Sequence, residues 1–231
     1  MVRPTCLSLV LLSALPMVVR AQALDPARIA ARTDTLEIVA VRGGDTVPVG
    51  ILFDAISRGV YEGHQVLLRV YRSQSALLGS RVDTLIDAAE SLQPLRIASR
   101  TVRGSDIVVF ADGRASGYSL LANGDSVDID VAIAQGVISG SSLDLAIRAS
   151  ELAADSRLGF QVFLPSTRSV SQMDARVAGA ETVDGESCWR VDANFAGTPV
   201  SFWVGRDSYR LLRQVMTLRP DFQLVFRRPR G

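Results

Sequence analysis

The chain has no lysine, a single histidine and only two cysteines, Cys6 and Cys188. Each shortage closes off a class of chemistry. Ser-His-Asp and Cys-His catalysis both need an imidazole to carry the proton. The one imidazole, His64, sits in "YEGHQV" at a predicted turn entering a strand, where an exposed loop histidine is the plainer reading. One His and one Cys beyond the N-terminus do not make the four-ligand sites that transition metals favour, so neither a metal nor a cofactor is expected. The G-x-S-x-G elbow, the H-E-x-x-H helix, the phosphate loop and the dinucleotide fingerprint are all missing. Basic clusters are missing too. With 25 arginines against 24 acidic residues the formal net charge is +1. Nucleic acid, held mainly through neutralised phosphates, is not an expected partner.

Long apolar runs are also missing beyond the N-terminus, where nothing approaches the ~20 residues that a membrane-spanning helix needs. Residues 1–23 read as a cleaved export signal. Arg3 supplies the positive start, "CLSLVLLSALPMVV" the apolar stretch, and Ala21-Gln22-Ala23 the small-x-small cleavage pattern. The mature chain is therefore expected outside the cytoplasm, in the periplasm of a Gram-negative-type bacterium. Removing Arg3 and Arg20 leaves 23 basic against 24 acidic residues, a charge of −1. Cys188 is then alone, and no intramolecular disulfide can form. Stability has to come from a core, for which 48% hydrophobic residues are ample. No linker divides the remainder, so the expectation is a lead segment at 24–34 and one domain over 35–231.

What fills that domain is strand-length apolar runs broken by turn residues. "TLEIVAV" and "VPVGILF" flank "RGGD" as a hairpin, and Asp112-Gly113 and Asn123-Gly124 mark further tight turns. An antiparallel meander is the economical reading. One segment, "SGSSLDLAIRASELAAD", has helical spacing, with an Asp144/Arg148 i,i+4 pair, and predicts a helix near 142–153. The clearest strands come late. Between Cys188 and Phe195, Trp189, Val191, Ala193 and Phe195 alternate with polar residues and Cys188. Val200, Phe202 and Val204 share a face of the next strand, with Trp203 opposed to them. Leu212, Met216 and Leu218 lie on one side of the strand after that.

Few candidates for chemistry survive. Asp125, Asp128 and Asp130 only loosely resemble a calcium loop, lacking its sixth-position glycine and twelfth-position Glu. Alternation explains them as a solvated strand face. Asp83, Asp87 and Glu90 could approach one another as a carboxylate pair of the glycosidase type, although spacing alone does not select them. Cys188 has Arg190 on its face but also Asp192 and no nearby histidine, which favours a structural free cysteine over a nucleophile. An enzyme is not expected.

The stretch "VAGAETVDGESCWRVDANFAGTPVSFWVGRDSYRLLR" resembles the C-terminal meander of secreted bacterial proteins of unknown function related to the LolA/LolB-like superfamily. Its form is G-x-E-x-V-x-G-x-x-C/A-W, a strand, a turn, a strand ending in W-V, a D-S turn and L-L-R. "RVDTLIDAAESLQPLR", "FADGRASG" and "SSLDLAIRASEL" match in order, so that the likeness spans roughly residues 35–228. The resemblance implies a mainly β fold: a large, curved antiparallel sheet forming an open half-barrel, with one or two short helices over an apolar concave face. It also implies lipid, or the acyl chains of lipoproteins, as partners. On that basis Trp189, Val191, Phe195, Val200, Phe202, Leu212 and Met216 are the expected cavity lining. Three functions remain open: a periplasmic carrier or binding module for an apolar ligand, an envelope structural or protein-interaction domain with a self-filled core, and a carboxylate-based hydrolase.

Overall fold

A computed structural model describes residues 23–195 and 197–229. The export-signal expectation thus lies almost wholly on residues 1–22, outside the described residues. Fifteen strands form one sheet: β1 (Arg32–Arg42), β2 (Asp45–Tyr61), β3 (His64–Ser75), β4 (Gly79–Ala88), β5 (Pro94–Thr101), β6 (Gly104–Ala111), β7 (Arg114–Leu121), β8 (Ser126–Ala132), β9 (Val137–Ser139), β10 (Arg157–Leu164), β11 (Ser169–Val183), β12 (Glu186–Phe195), β13 (Thr198–Gly205), β14 (Leu211–Arg219) and β15 (Phe222–Arg227). Among the described residues one α-helix, α1 (Leu143–Ala149), lies between β9 and β10.

The strand order is β8-β7-β6-β5-β4-β3-β2-β1-β15-β14-β13-β12-β11-β10-β9. Two meanders therefore build the sheet. The first runs from β1 out to β8; the chain then crosses over through β9 and α1 and returns as β10 to β15, which pairs with β1. Every pairing is antiparallel except β9 with β10. Tight turns set the registers. At Asp112-Gly113 and Asp184-Gly185 both residues have positive φ, the requirement of the two-residue turns that match strand twist.

The sheet curls without closing into a barrel. Its two ends approach face to face: Val137 of β9 and Phe163 of β10 pack on Leu85, Ile97, Val108, Phe110 and Ile129 of β4, β5, β6 and β8. Phe110 and Phe163 meet edge to face, with ring centroids 5.3 Å apart. The half-barrel expectation holds for the open, curved sheet.

Helix α1 departs from its expected form. It spans seven residues, preceded by a 3-10 turn at Gly140–Ser142, and ends at Ser150, whose backbone is extended. Two turns are too few to persist alone in water. All seven residues are buried, with Leu143, Leu145, Ala146, Ile147 and Ala149 in the largest apolar cluster. A helix apolar around most of its circumference is stable only when surrounded. Here it is a plug inside the curl, whereas the resemblance implied a helix lying over the concave face. Residues 24–31 strap its C-terminal end. Asp25 N donates to Ala149 O, Arg28 donates to Ser150 O, and Arg58 reaches Pro26 O and Ile29 O.

Candidate functional site

The inner face, turned toward α1, carries an uncommon load of charge. Asp54 of β2 and Arg69 of β3 point inward beside Asp144 of α1, all of them buried. Arg69 Nε and Nη2 donate to the two oxygens of Asp54, each at 2.7 Å. Its Nη1 donates to Asp144 Oδ1 at 2.7 Å and to Ser141 O at 3.0 Å, and Nη2 also reaches Asp144 Oδ2 at 3.2 Å. Every N–H of this guanidinium therefore has an acceptor. Burial alone would push it down, but Asp144 and Asp54 hold it well above its ordinary value. Burial also pushes Asp54 up, and the charge and hydrogen bonds of Arg69 outweigh that, so its carboxyl titrates low. Arg148, 3.6 Å from Asp144, donates through Nε to Tyr209 O. Burial and the nearby Arg32 and Arg69 push it down to about 10, against the pull of Asp144. This constellation clamps α1 to the sheet.

Each carboxylate weighed for catalysis has a place. Asp83 is engaged by Arg81 and by Ser99 Oγ at 2.6 Å. Asp87 Oδ2 accepts from Ser142 Oγ at 2.7 Å, and burial raises its carboxyl to about 7, with Ser142 and Arg69 opposing. Both are buried on the inner face of β4, while Glu90 is exposed in the following turn. Asp130 points outward and pairs with Arg114. His64 is exposed at the start of β3.

The C-terminal meander divides as its alternation suggested, with one correction. Val191, Val200 and Phe202 are buried in the cluster around α1, and Trp189, Phe195 and Met216 pack against it. Cys188 lies on the other face, buried with Val183 and Leu212, with Trp203 packed against them. Burial, aided by Glu181, raises its thiol. Leu212 thus faces away from the inner cluster. A bulge opposite Trp203/Val204 pairs Val204 with Leu211, while Phe202 pairs with Gln214 and Val200 with Met216. Leu211 takes the inward position in its place. Val191, Val200 and Phe202 are covered by the chain's own side chains, while Trp189, Phe195 and Met216 are partly buried. Trp189 also borders a small cleft, of about 230 Å³, where Arg206 stacks on it at 4.6 Å and Arg28 stacks on Tyr209 at 5.1 Å.

A larger space opens on the outer face. A groove of about 710 Å³ runs over β1–β4, floored by Phe53, Ala55, Val70 and Val82, with Thr33, Ser73, Gln74 and Ser80 around it and Arg72 and Arg81 at its sides. The registers explain the floor. Phe53 pairs with Arg72 and Arg72 with Val82, while Ala55 pairs with Val70. Because Asp54 and Arg69 turn inward, their apolar neighbours turn outward, the reverse of the usual arrangement. Phe53 and Val82 are 44% and 41% exposed. Sequence reasoning passed over these residues. Their signal was the alternation itself, "LFDAI" against "LRVYR", in which either face could have been the buried one.

A solved structure of similar fold agrees with the architecture. A β-barrel-like protein of the domain of unknown function DUF1849 from Brucella abortus superposes with a TM-score of 0.51 at 13% identity, over 84% of this chain and 94% of that one. A DUF1329 family protein from Desulfovibrio piger matches at 13% identity over 89% of both chains, with a TM-score of 0.26. No curated protein matches the chain. The family model described as a protein of unknown function (DUF3108) matches residues 64–222, well over half of the sequence, and the chain belongs to that family.

Proposed function

We propose that the protein is an extracytoplasmic, non-catalytic binding module for an apolar, lipid-like ligand, and that the ligand lies in the outer-face groove instead of inside the curl. The carrying observation is the groove of about 710 Å³ with its floor of Phe53, Ala55, Val70 and Val82. That volume falls within the range of small-molecule sites, and apolar lining with a few polar groups at the edge is their common form. The filled interior moves the reading outward, since α1 occupies the place where the LolA-like resemblance would seat an acyl chain. The likeness of the sequence to that superfamily supports the ligand class. The buried acids, engaged by Arg69, Arg81 and serines, support a structural role over hydrolysis.

Native mass spectrometry of the purified protein, with extraction of whatever co-purifies, tests this reading. An apolar adduct is expected on the wild type and its loss on Phe53→Asp or Val82→Glu, both at exposed positions. Adducts retained by both variants would overturn it. A second reading, an envelope protein-interaction domain, is favoured by the exposed apolar residues beyond the groove, Val109, Tyr118 and Leu120. It predicts an envelope protein in place of a lipid in the same preparation.

A further inference from the structure

Across β2 from Ile51 onward and β3 to β6 the outer face carries charge of one sign; on β1, Glu37 also faces outward, opposite Ile51, where Arg227 pairs with it. In β2 from Ile51 onward and in β3 to β6, the acidic residues are Asp54, Asp83, Asp87 and Asp106. All four turn inward: Asp54 to Arg69, Asp83 to Ser99, Asp87 to Ser142 and Asp106 to Ser119. The same strands place Arg72, Arg96 and Arg100 outward. Arg72 pairs with Phe53 and Val82, Val82 with Arg100, and Arg96 with Ile86 and Val109. Among the described residues none of these three arginines lies within ion-pair distance of a carboxylate. Arg81 also borders the groove, but its side chain turns inward, to Asp83 at 2.6 Å and to Ser141 Oγ. An apolar floor thus carries one half-buried, uncompensated guanidinium, Arg72, between its two largest exposed side chains. A second, Arg100, lies one strand beyond Val82.

We propose that this groove selects a long-chain carboxylate, a fatty-acid anion, with its chain over Phe53, Val70 and Val82 and its head on Arg72. The proposal rests on the groove being the apolar-ligand site. A planar guanidinium presents two parallel N–H groups to a carboxylate, a geometry that an ester or alcohol head does not complete. The volume suits one chain. A neutral ligand would leave Arg72 partly desolvated without an acceptor, which selects against it.

Calorimetric titration with sodium laurate and with its neutral glyceryl ester, both below their micellar concentrations, tests it on the wild type and on Arg72→Gln. Laurate is expected to bind about tenfold more tightly than the ester, the scale of one charge-assisted hydrogen bond. Arg72→Gln, whose unchanged melting temperature would show an intact fold, should bring the two ligands to equal affinity. Equal affinity already in the wild type would overturn the headgroup assignment while leaving the groove as an apolar site. A laurate preference that survives Arg72→Gln would overturn the assignment to Arg72. No binding of either ligand would overturn the groove reading itself. Sedimentation with phosphatidylglycerol vesicles without laurate binding would make the occupant a membrane surface, and would overturn the proposal too.

Discussion

Replacing Arg69 by methionine strips buried Asp54 of its hydrogen-bonded partner and leaves Asp144 with Arg148 alone. Arg69 is 3% exposed and makes five hydrogen bonds, four of them to Asp54 and Asp144 and one to Ser141 O. Removing one partner of a buried ion pair costs about 3–5 kcal/mol, because the other is left charged in a poorly solvating site. Set against a total stability of about 5–15 kcal/mol, the variant still folds but with much of its margin gone. With a urea slope of about 1–3 kcal/mol per molar, the unfolding midpoint should fall by roughly 1–5 M. The effect depends on pH in a definite sense. In the wild type the Asp54 carboxyl is held below its ordinary value, so its contribution is present above that value and is lost as pH falls through the lowered one. Without Arg69, burial is left to raise the Asp54 carboxyl, a penalty at neutral pH that disappears as the carboxyl takes up a proton, so the difference between the proteins should shrink as pH falls from 7 toward 4. Adding Asp54→Leu to Arg69→Met should restore a large part of the loss, since the carboxylate left without a partner is then gone while Asp144 keeps Arg148. A midpoint shift below about 0.3 M, or one as large at pH 4 as at pH 7, would refute this account of the clamp.

Asp87 behaves in the opposite sense. Its carboxyl, raised to about 7 by burial, holds its proton while the unfolded chain gives it up, a penalty absent below pH 4 that builds as pH rises and is complete once pH passes 7. Asp87→Asn should therefore raise the thermal midpoint at pH 8 and leave it nearly unchanged at pH 4, as followed by calorimetry. Gly117 has φ +157° and lies so close to β6 that an added Cβ would sit 1.9 Å from Ile107 O. Gly117→Ala should cost about 2 kcal/mol and lower the melting temperature by about 4–8 °C. The thiol of Cys188, buried and raised, should stay unreactive toward a disulfide reagent at pH 8 in the native protein and react fully in guanidinium; prompt native labelling would contradict its placement.

The strand succession was legible because turn chemistry and alternation are local. Asp112-Gly113 and the alternation from Cys188 to Phe195 appear in the structure where the sequence put them. What alternation does not carry is which face is inner. In β12 the aromatic and aliphatic residues share one face and settle the matter. In β2 and β3 both faces are mixed, and the choice falls to Asp54 and Arg69, which find Asp144 on an element more than 70 residues away. Nothing local to "LFDAI" announces that partner. Leu211-Leu212 shows the same limit on a smaller scale: two identical side chains straddle a bulge, and only the pairing with Val204 decides which one turns inward. The helix was foreseen from its spacing and ended early, at Ser150, where Arg28 and the strap take over its last carbonyls. The groove was invisible because it exists only once three neighbouring strands put their apolar faces outward together.

The most direct test is where a bound acyl chain touches the protein. A diazirine-bearing fatty acid, equilibrated with the purified protein, cross-linked by light and mapped by peptide mass spectrometry, reads this out. Labels on the peptides of Phe53, Val70 and Val82 are the predicted result. Labels on Val191, Phe202 or α1 would place the ligand inside the curl and contradict an interior filled by the chain's own side chains.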